Sequence, residues 1–310
     1  MDLDLEHINC NLCGGSDTKL YAKVSYMDYL RRRPELMAED DPIVKHKELA
    51  EHKFNLVKCK QCGLIYVNPR LPDDKLSDLY RQEYYSFYSD DASEESKRRE
   101  KTFKVEVAEL EKITEKFGLG KKILDVGCGG GFFLNSLDDS WEKYGSELNP
   151  VAAESGKAKF GINVFQGTLE DANFPAETFD VVKMRGVIEH LSDPLSELRQ
   201  IHRILRKGGM LTINTPNIGS LCGKLYREKF RLVCPTHHIY YFSTQTLSCM
   251  LKKAGFKVCK VSYHYFDTPY ASWKDVFKIF LDTAGLGILR NPDVVSPAFY
   301  GNIVDIYVTK

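Results

Sequence analysis

Residues 121–131 read Lys-Lys-Ile-Leu-Asp-Val-Gly-Cys-Gly-Gly-Gly, an apolar run that ends in a glycine cluster, with an aspartate two residues before the first glycine. No other stretch constrains the fold as much. Ile123, Leu124 and Val126 suit a parallel strand covered on both faces, and Phe132, Phe133, Leu134 and Leu137 then begin a helix. Gly127, Gly129 and Gly131 therefore fall at the strand's carboxyl edge. Lacking a Cβ, the backbone there can take left-handed dihedrals and approach a ligand closely, while the helix that follows offers its amino end.

The glycines alone would also suit a dinucleotide site, whose fingerprint is G-x-G-x-x-G. Here the third glycine comes one residue early and Phe132 stands in its place. With LDVGCGGG at 124–131, YGSELNP at 144–150 and LRKGGMLTINTPN at 205–217, the chain resembles class I S-adenosylmethionine-dependent methyltransferases over roughly residues 100–265. The resemblance implies an α/β, Rossmann-like sheet of seven strands, six parallel and one antiparallel. It places Asp125, Gly127, Cys128, Gly129, Glu147, Leu148, Thr168, Leu169 and Arg185 around the cofactor. Glu147 closes the second strand about twenty residues after the glycine turn, where an acidic side chain accepts hydrogen bonds from a ribose diol. Asn149 and Pro150 then cap and open the next helix. Many family members carry aspartate where Thr168 stands, so the adenine amino group falls to the backbone or to Glu170.

The fourth strand, Phe179 to Met184, leads into Arg185-Gly186-Val187-Ile188-Glu189-His190-Leu191-Ser192-Asp193-Pro194. Some relatives carry a Glu-x-x-Glu-His metal set here. In this chain Gly186 replaces the first glutamate. Two ligands rarely hold a catalytic divalent ion without help, so no catalytic metal is expected here. His190 either bonds the backbone structurally or takes part in catalysis.

Two C-x-x-C pairs, Cys10/Cys13 and Cys59/Cys62, are each followed by glycine. Such knuckles suit a structural zinc ribbon, in which four thiolates close a tetrahedral shell and couple metal binding to folding. The intervening stretch, Tyr26 to Lys53, reads as helical and charged, with Arg31, Arg32 and Arg33 on a solvated face. Cys222, Cys234, Cys249 and Cys259 lack ligand spacing and read as packing residues.

The expected organisation is a zinc-ribbon module over 1–75, a helical connector and cofactor cover over 76–118, and the methyltransferase domain over 119–310. In relatives with this ribbon, the segment around Tyr80, Tyr84 and Tyr85 helps to cover the cofactor, either by packing between domains or by cation–π contact with the sulfonium. A helix over Leu195–Leu205, a fifth strand over Gly209–Asn214, a helix over Thr244–Lys253, a sixth strand over Phe256–Tyr263 and an antiparallel seventh over Asn302–Thr309 complete the plan. Insertions at 217–242 and 264–300 leave from carboxyl strand ends, so both are expected to shape the acceptor site. The second, rich in aromatics, reads equally as a lid, a homodimer contact or a surface for a lipid-linked acceptor.

The first insertion holds a P-x-H-x-x-x-F-S-like stretch, Pro235 to Ser243, whose histidine faces the active site in ribbon-bearing relatives. His238 aligns best, with His237 beside it, and either suits the removal of a hydroxyl proton during an in-line transfer. Forty-three basic and forty-three acidic side chains cancel, which argues against a large nucleic-acid footprint. Neither a signal peptide nor a run of about 18 apolar residues is visible, so a cytoplasmic location is expected. The resemblance points to methylation of a sugar, glycan or small-molecule hydroxyl. Carbon methylation of a nucleotide-linked keto sugar, RNA base methylation and an inactive binding protein are the alternatives.

Overall fold

A computed structural model describes residues 3–37, 41–83, 94–283 and 294–310. Its strands in chain order are β1 (Thr18–Val24), β2 (Phe54–Cys59), β3 (Ile65–Val67), β4 (Lys122–Val126), β5 (Glu142–Glu147), β6 (Asn163–Gln166), β7 (Phe179–Arg185), β8 (Leu205–Pro216), β9 (Tyr240–Tyr241), β10 (Lys257–Ser262) and β11 (Ile303–Thr309). The helices are α1 (Tyr26–Arg32), α2 (Pro42–Lys45), α3 (Lys47–Glu51), α4 (Asp73–Glu83), α5 (Glu94–Phe117), α6 (Phe132–Asn135), α7 (Pro150–Phe160), α8 (Leu169–Ala172), α9 (Pro194–Ile204), α10 (Leu221–Tyr226), α11 (Thr244–Lys253) and α12 (Trp273–Thr283).

A seven-stranded sheet runs β10-β11-β8-β7-β4-β5-β6. The pairs β4–β5, β4–β7, β5–β6 and β7–β8 are parallel, and β11 lies antiparallel between β8 and β10. Six strands thus share one direction, as the resemblance to the methyltransferases implies. Central strands need apolar side chains on both faces, and β4 supplies Ile123, Leu124 and Val126 for the two. Asn149 caps α7 as read from sequence, accepting from the Val151 and Ala152 amides, and Asp193 likewise accepts from the Ser196 amide to start α9. The α9 stripe of Leu195, Leu198, Ile201 and Ile204 then packs into the core.

Several boundaries differ from the sequence pattern. The helix after the glycine turn stops at Asn135, one turn long. Strand β8 starts at Leu205, which pairs with Phe179 ahead of an irregularity, where the Lys-Gly-Gly sequence reads as a turn. Arg32 and Arg33 do not form a solvated face: they reach the carbonyls of Glu228 and Arg231, because the 217–242 segment returns onto α1. Cys222 and Cys234 are buried, whereas Cys249 and Cys259 are exposed. In the second insertion α12 turns Trp273, Phe277 and Phe280 outward, 84%, 62% and 67% exposed. Tyr84, Tyr85 and the Tyr80 side chain lie outside the described residues.

A smaller sheet, β1-β2-β3-β9, carries the amino-terminal region. Its fourth strand comes from the 217–242 segment, with Tyr240 opposite Tyr66 and Tyr241 opposite Ile65. Helix α5 covers the large sheet through Phe103 and Leu110 and carries Glu106 on the same stripe. The Glu106 carboxylate meets Lys183 Nζ and Arg185 Nε of β7, each at 2.8 Å. Burial alone would raise this carboxyl; the two cations more than reverse that and hold it at about 2.

Glu106→Gln is therefore expected to leave Lys183 buried and uncompensated, lowering the unfolding free energy in urea by roughly 3–5 kcal/mol. Because the folded-state pKa is depressed, the ion pair stabilises the fold above the ordinary carboxyl value of 4.5 and is lost as pH falls towards about 2. The variant's stability should be flatter across that acid range.

Candidate active site

The carboxyl ends of β4, β5 and β7 open into a cleft of about 490 Å³. Its floor is the glycine turn. Gly127 (φ 68°) and Gly129 (φ 54°) both occupy left-handed backbone, and a Cβ on Gly127 would stand 2.6 Å from Val187 Cγ2. The Gly127 and Cys128 amides donate to the Ser146 carbonyl, and Cys128 Sγ packs over Gly145, where a Cβ would lie 2.5 Å away. Helix α7 approaches through Gly156, whose added Cβ would come within 3.4 Å of the Gly130 backbone.

Glu147 ends β5 with its carboxylate towards that turn. Oε2 accepts from the Gly129 amide and Oε1 from the Asn149 amide, both at 2.8 Å. Burial raises its pKa, opposed by these two amides. Asp125, only 4% exposed, lies beside it on the wall, and burial pushes its carboxyl up to about 7. Leu148, Thr168, Leu169, Glu170 and Arg185 also line the cleft. The Thr168 hydroxyl is spent on an α8 capping box with Asp171. Arg185 is held by Glu106.

Several wall residues escaped the sequence reading. Helices α4 and α5 contribute Asp73, Leu76, Ser77, Arg99 and Phe103, and α9 contributes Ser196, Glu197 and Gln200. The amphipathic pattern of α9 and the charged run of α5 mark helices but not which face meets a cleft. Among the described lining residues six carboxyl groups stand against two guanidiniums, Arg99 and Arg185; burial raises Asp125 and Glu197 to about 7, which leaves Asp73, Glu147, Glu170 and Asp193 as the main negative charges. Such a field favours a cationic occupant over a pyrophosphate.

The histidines occupy three depths. His190 lines the cleft. Its Nδ1 faces the His237 carbonyl at 2.8 Å, and the His238 ring meets it edge-on with centroids 4.7 Å apart. His238 Nδ1 in turn faces the Leu232 carbonyl at 2.8 Å. His237 lies farther back, its Nδ1 3.2 Å from Cys234 Sγ and 3.1 Å from the Thr236 hydroxyl, its ring against Tyr26. Burial pushes His237 and His238 down to about 4 and lowers His190 well below its ordinary value, with His238 as the next cause. Glu189, 2% exposed, accepts from the Thr215 hydroxyl at 2.7 Å, and ligand atoms of Glu189, His190 and His238 lie within 4.8 Å of one another. The third member comes from an insertion 48 residues downstream, beyond the reach of any local motif.

Cys10, Cys13, Cys59 and Cys62 also converge, all sulfurs within 4.8 Å, with Cys10–Cys62 at 3.4 Å and Cys13–Cys59 at 3.5 Å. Four sulfurs about 2.3 Å from a tetrahedral centre stand about 3.8 Å apart, so the donor set fits zinc. Gly14 and Gly63, both at φ 80°, complete two matching knuckles. Between the first pair, Asn11 docks on the start of α9, donating to Asp193 and accepting from the Leu195 amide.

A methyltransferase-domain family model matches residues 95–261. The chain is 34% identical over 123 residues to a ubiquinone biosynthesis O-methyltransferase of Aeromonas salmonicida, covering 35% of this chain and 49% of that protein. It is 28% identical over 189 residues to an uncharacterized protein of Methanocaldococcus jannaschii, covering 61% and 84% respectively. It spans about half the length of the first of these relatives. A solved structure from Thermotoga maritima, described as a methyltransferase and possible histamine N-methyltransferase, is 26% identical with a TM-score of 0.43, over 61% of this chain and 82% of that one.

The glycine turn should tolerate substitution unequally. Gly129→Ala meets no atom within 4 Å and carries only the left-handed backbone cost of about 1–2 kcal/mol. Gly127→Ala adds the clash with Val187, so thermal denaturation should rank it clearly the less stable.

Proposed function

The chain belongs to the methyltransferase-domain family, and on that premise we propose that it is an S-adenosylmethionine-dependent methyltransferase acting on a hydroxyl of a sugar, glycan or other small molecule. The observation that carries this reading is the Glu147 carboxylate, bonded to the glycine turn it faces across an open cleft. Each carboxylate oxygen has a second acceptor position beyond the amide it already binds, so Glu147 can take both hydroxyls of a vicinal diol. The acidic wall complements a sulfonium and an ammonium. When bound, the cofactor supplies an electrophilic methyl group.

This chain's residues provide the rest. Asp125, the turn amides and Leu148 would hold the nucleoside and amino acid portions, with Thr168, Leu169 and Glu170 flanking the base. Arg185, fixed by Glu106, is an oriented cation at the same wall. His190 faces the acceptor side, backed by His238 and then His237, and these rings are the groups we assign to the acceptor's proton. The hydroxyl specificity is favoured by the relatives named as O-methyltransferases. Cys10, Cys13, Cys59 and Cys62 would hold one structural zinc, which closes a shell of four sulfurs and leaves no position for chemistry.

Isothermal titration should give saturable binding of S-adenosylmethionine, weakened by about 10–100-fold in Glu147→Gln, the loss of a charge-assisted contact worth roughly 1.5–3 kcal/mol. No heat of binding at millimolar cofactor would end the proposal. Metal analysis should find one zinc per chain, absent from Cys59→Ser. Because Asn11 bridges the knuckle to α9, that variant should also bind the cofactor more weakly.

A further inference from the structure

We propose that Tyr29, Arg33 and Arg231 form a binding site for a phosphate group, outside the cleft, where the end of α1 meets the 217–242 segment. Nothing in this site depends on the chemistry of the cleft.

Two basic stretches make the seam. Residues 31–33 are three consecutive arginines, and Lys224, Arg227, Lys229 and Arg231 fall within eight positions against one acid, Glu228. The chain as a whole carries no net charge, so the fold concentrates cations here. Backbone carbonyls hold the stretches in place: Arg32 Nη1 donates to Glu228 at 2.6 Å, Arg33 Nη1 to Arg231 at 3.4 Å and Arg227 Nη2 to Tyr21 at 2.6 Å. A carbonyl carries no net charge, so these bonds fix the guanidiniums without neutralising them.

Arg231 stands out within the seam. Its backbone is pinned, the amide on Ser296 Oγ at 3.1 Å and the carbonyl on Arg33. Yet its half-buried guanidinium has neither a hydrogen bond nor an ion pair among the described residues. A guanidinium carries five N–H donors, and burying them unpaired is costly. Two carboxyl groups lie nearby. Glu35 is bound to Arg33 Nε at 2.5 Å, and Asp275, whose carboxyl burial raises, forms no ion pair with Arg231. The Tyr29 hydroxyl, in the field of both arginines, also has no hydrogen-bond partner among the described residues. Neither that hydroxyl nor the Arg231 nitrogens are sealed from solvent, so an ion can reach them.

Arg33 spends two of its five donors, on Glu35 and on the Arg231 carbonyl, and keeps three. Arg231 offers a whole fork and Tyr29 one O–H. Three separate donor groups suit a tetrahedral oxyanion better than a planar carboxylate, and a guanidinium fork matches phosphate bidentately. The site lies one residue from Leu232, whose carbonyl holds His238 Nδ1, and His238 meets His190 at the cleft wall. The phosphate has two sources, a phosphorylated acceptor reaching towards the cleft or a free ion that fixes this segment.

The test titrates the full chain with inorganic phosphate and with glucose 1-phosphate by calorimetry in chloride buffer. One phosphate per chain is expected. Arg231→Met should weaken binding by about tenfold or more, the loss of a charge-assisted fork, and Tyr29→Phe by about three- to tenfold, the loss of one hydrogen bond. Arg31→Met is the control: Arg31 is 63% exposed and pairs with Asp28, so phosphate affinity should stay within about twofold. Because Arg231 has no side-chain partner to lose, Arg231→Met should melt no lower than the wild type in phosphate-free buffer. Tighter binding of glucose 1-phosphate than of phosphate assigns the site to a phosphorylated acceptor; equal or weaker binding assigns it to the free ion. Absence of binding by the folded wild type at about 10 mM phosphate, equal weakening by Arg31→Met and Arg231→Met, or an Arg231→Met chain that melts well below the wild type without phosphate overturns the proposal.

Discussion

The structure turns on a carboxylate reaching across a gap between two strand ends. Glu147 on β5 accepts the Gly129 amide from the turn after β4, and the turn can present that amide only because its glycines take left-handed backbone. Cys128 fits over Gly145, and α7 comes down on Gly130 through Gly156. Three close approaches therefore leave the cleft open at one edge of the sheet. A Cβ on Gly145 would stand 2.5 Å from Cys128 Sγ and one on Gly127 2.6 Å from Val187 Cγ2, so a larger residue at either would force its neighbours to move.

A second dependence links regions far apart in sequence. The 217–242 segment adds β9 to the amino-terminal sheet, sends backbone amides to the Glu189 carbonyl and sets His238 against His190. From the other side, Asn11 of the first cysteine knuckle caps into the start of α9, and Arg70 reaches the Ser192 carbonyl. The cysteine cluster and the cleft wall thus share a few rigid hydrogen bonds, so order in one constrains the other. The Glu106–Lys183–Arg185 network does the same for α5, which spans the large sheet and lines the cleft with Arg99 and Phe103.

Local chemistry made much of this legible in the chain. Apolar runs bounded by glycine gave the central strands, Asn149-Pro150 marked a helix start, and two C-x-x-C-Gly units marked the knuckles. Each depends on residues within about one turn of one another, where spacing alone sets geometry. Arg32 and Arg33 were misread for the opposite reason. Their partners are carbonyls some two hundred positions away, and a charged run carries no record of what folds back onto it.

What the sequence determined by itself was the α/β plan, the glycine turn with Glu147 following it and the pairing of four cysteines, because strand period, left-handed backbone and ligand spacing are local properties. Only the tertiary structure decided which histidine meets the cleft, that Glu189 gains His238 as a neighbour, and that the small sheet completes itself with a strand from 217–242. Those outcomes depend on burial and on contacts between distant segments, which chain closure sets and no local pattern encodes.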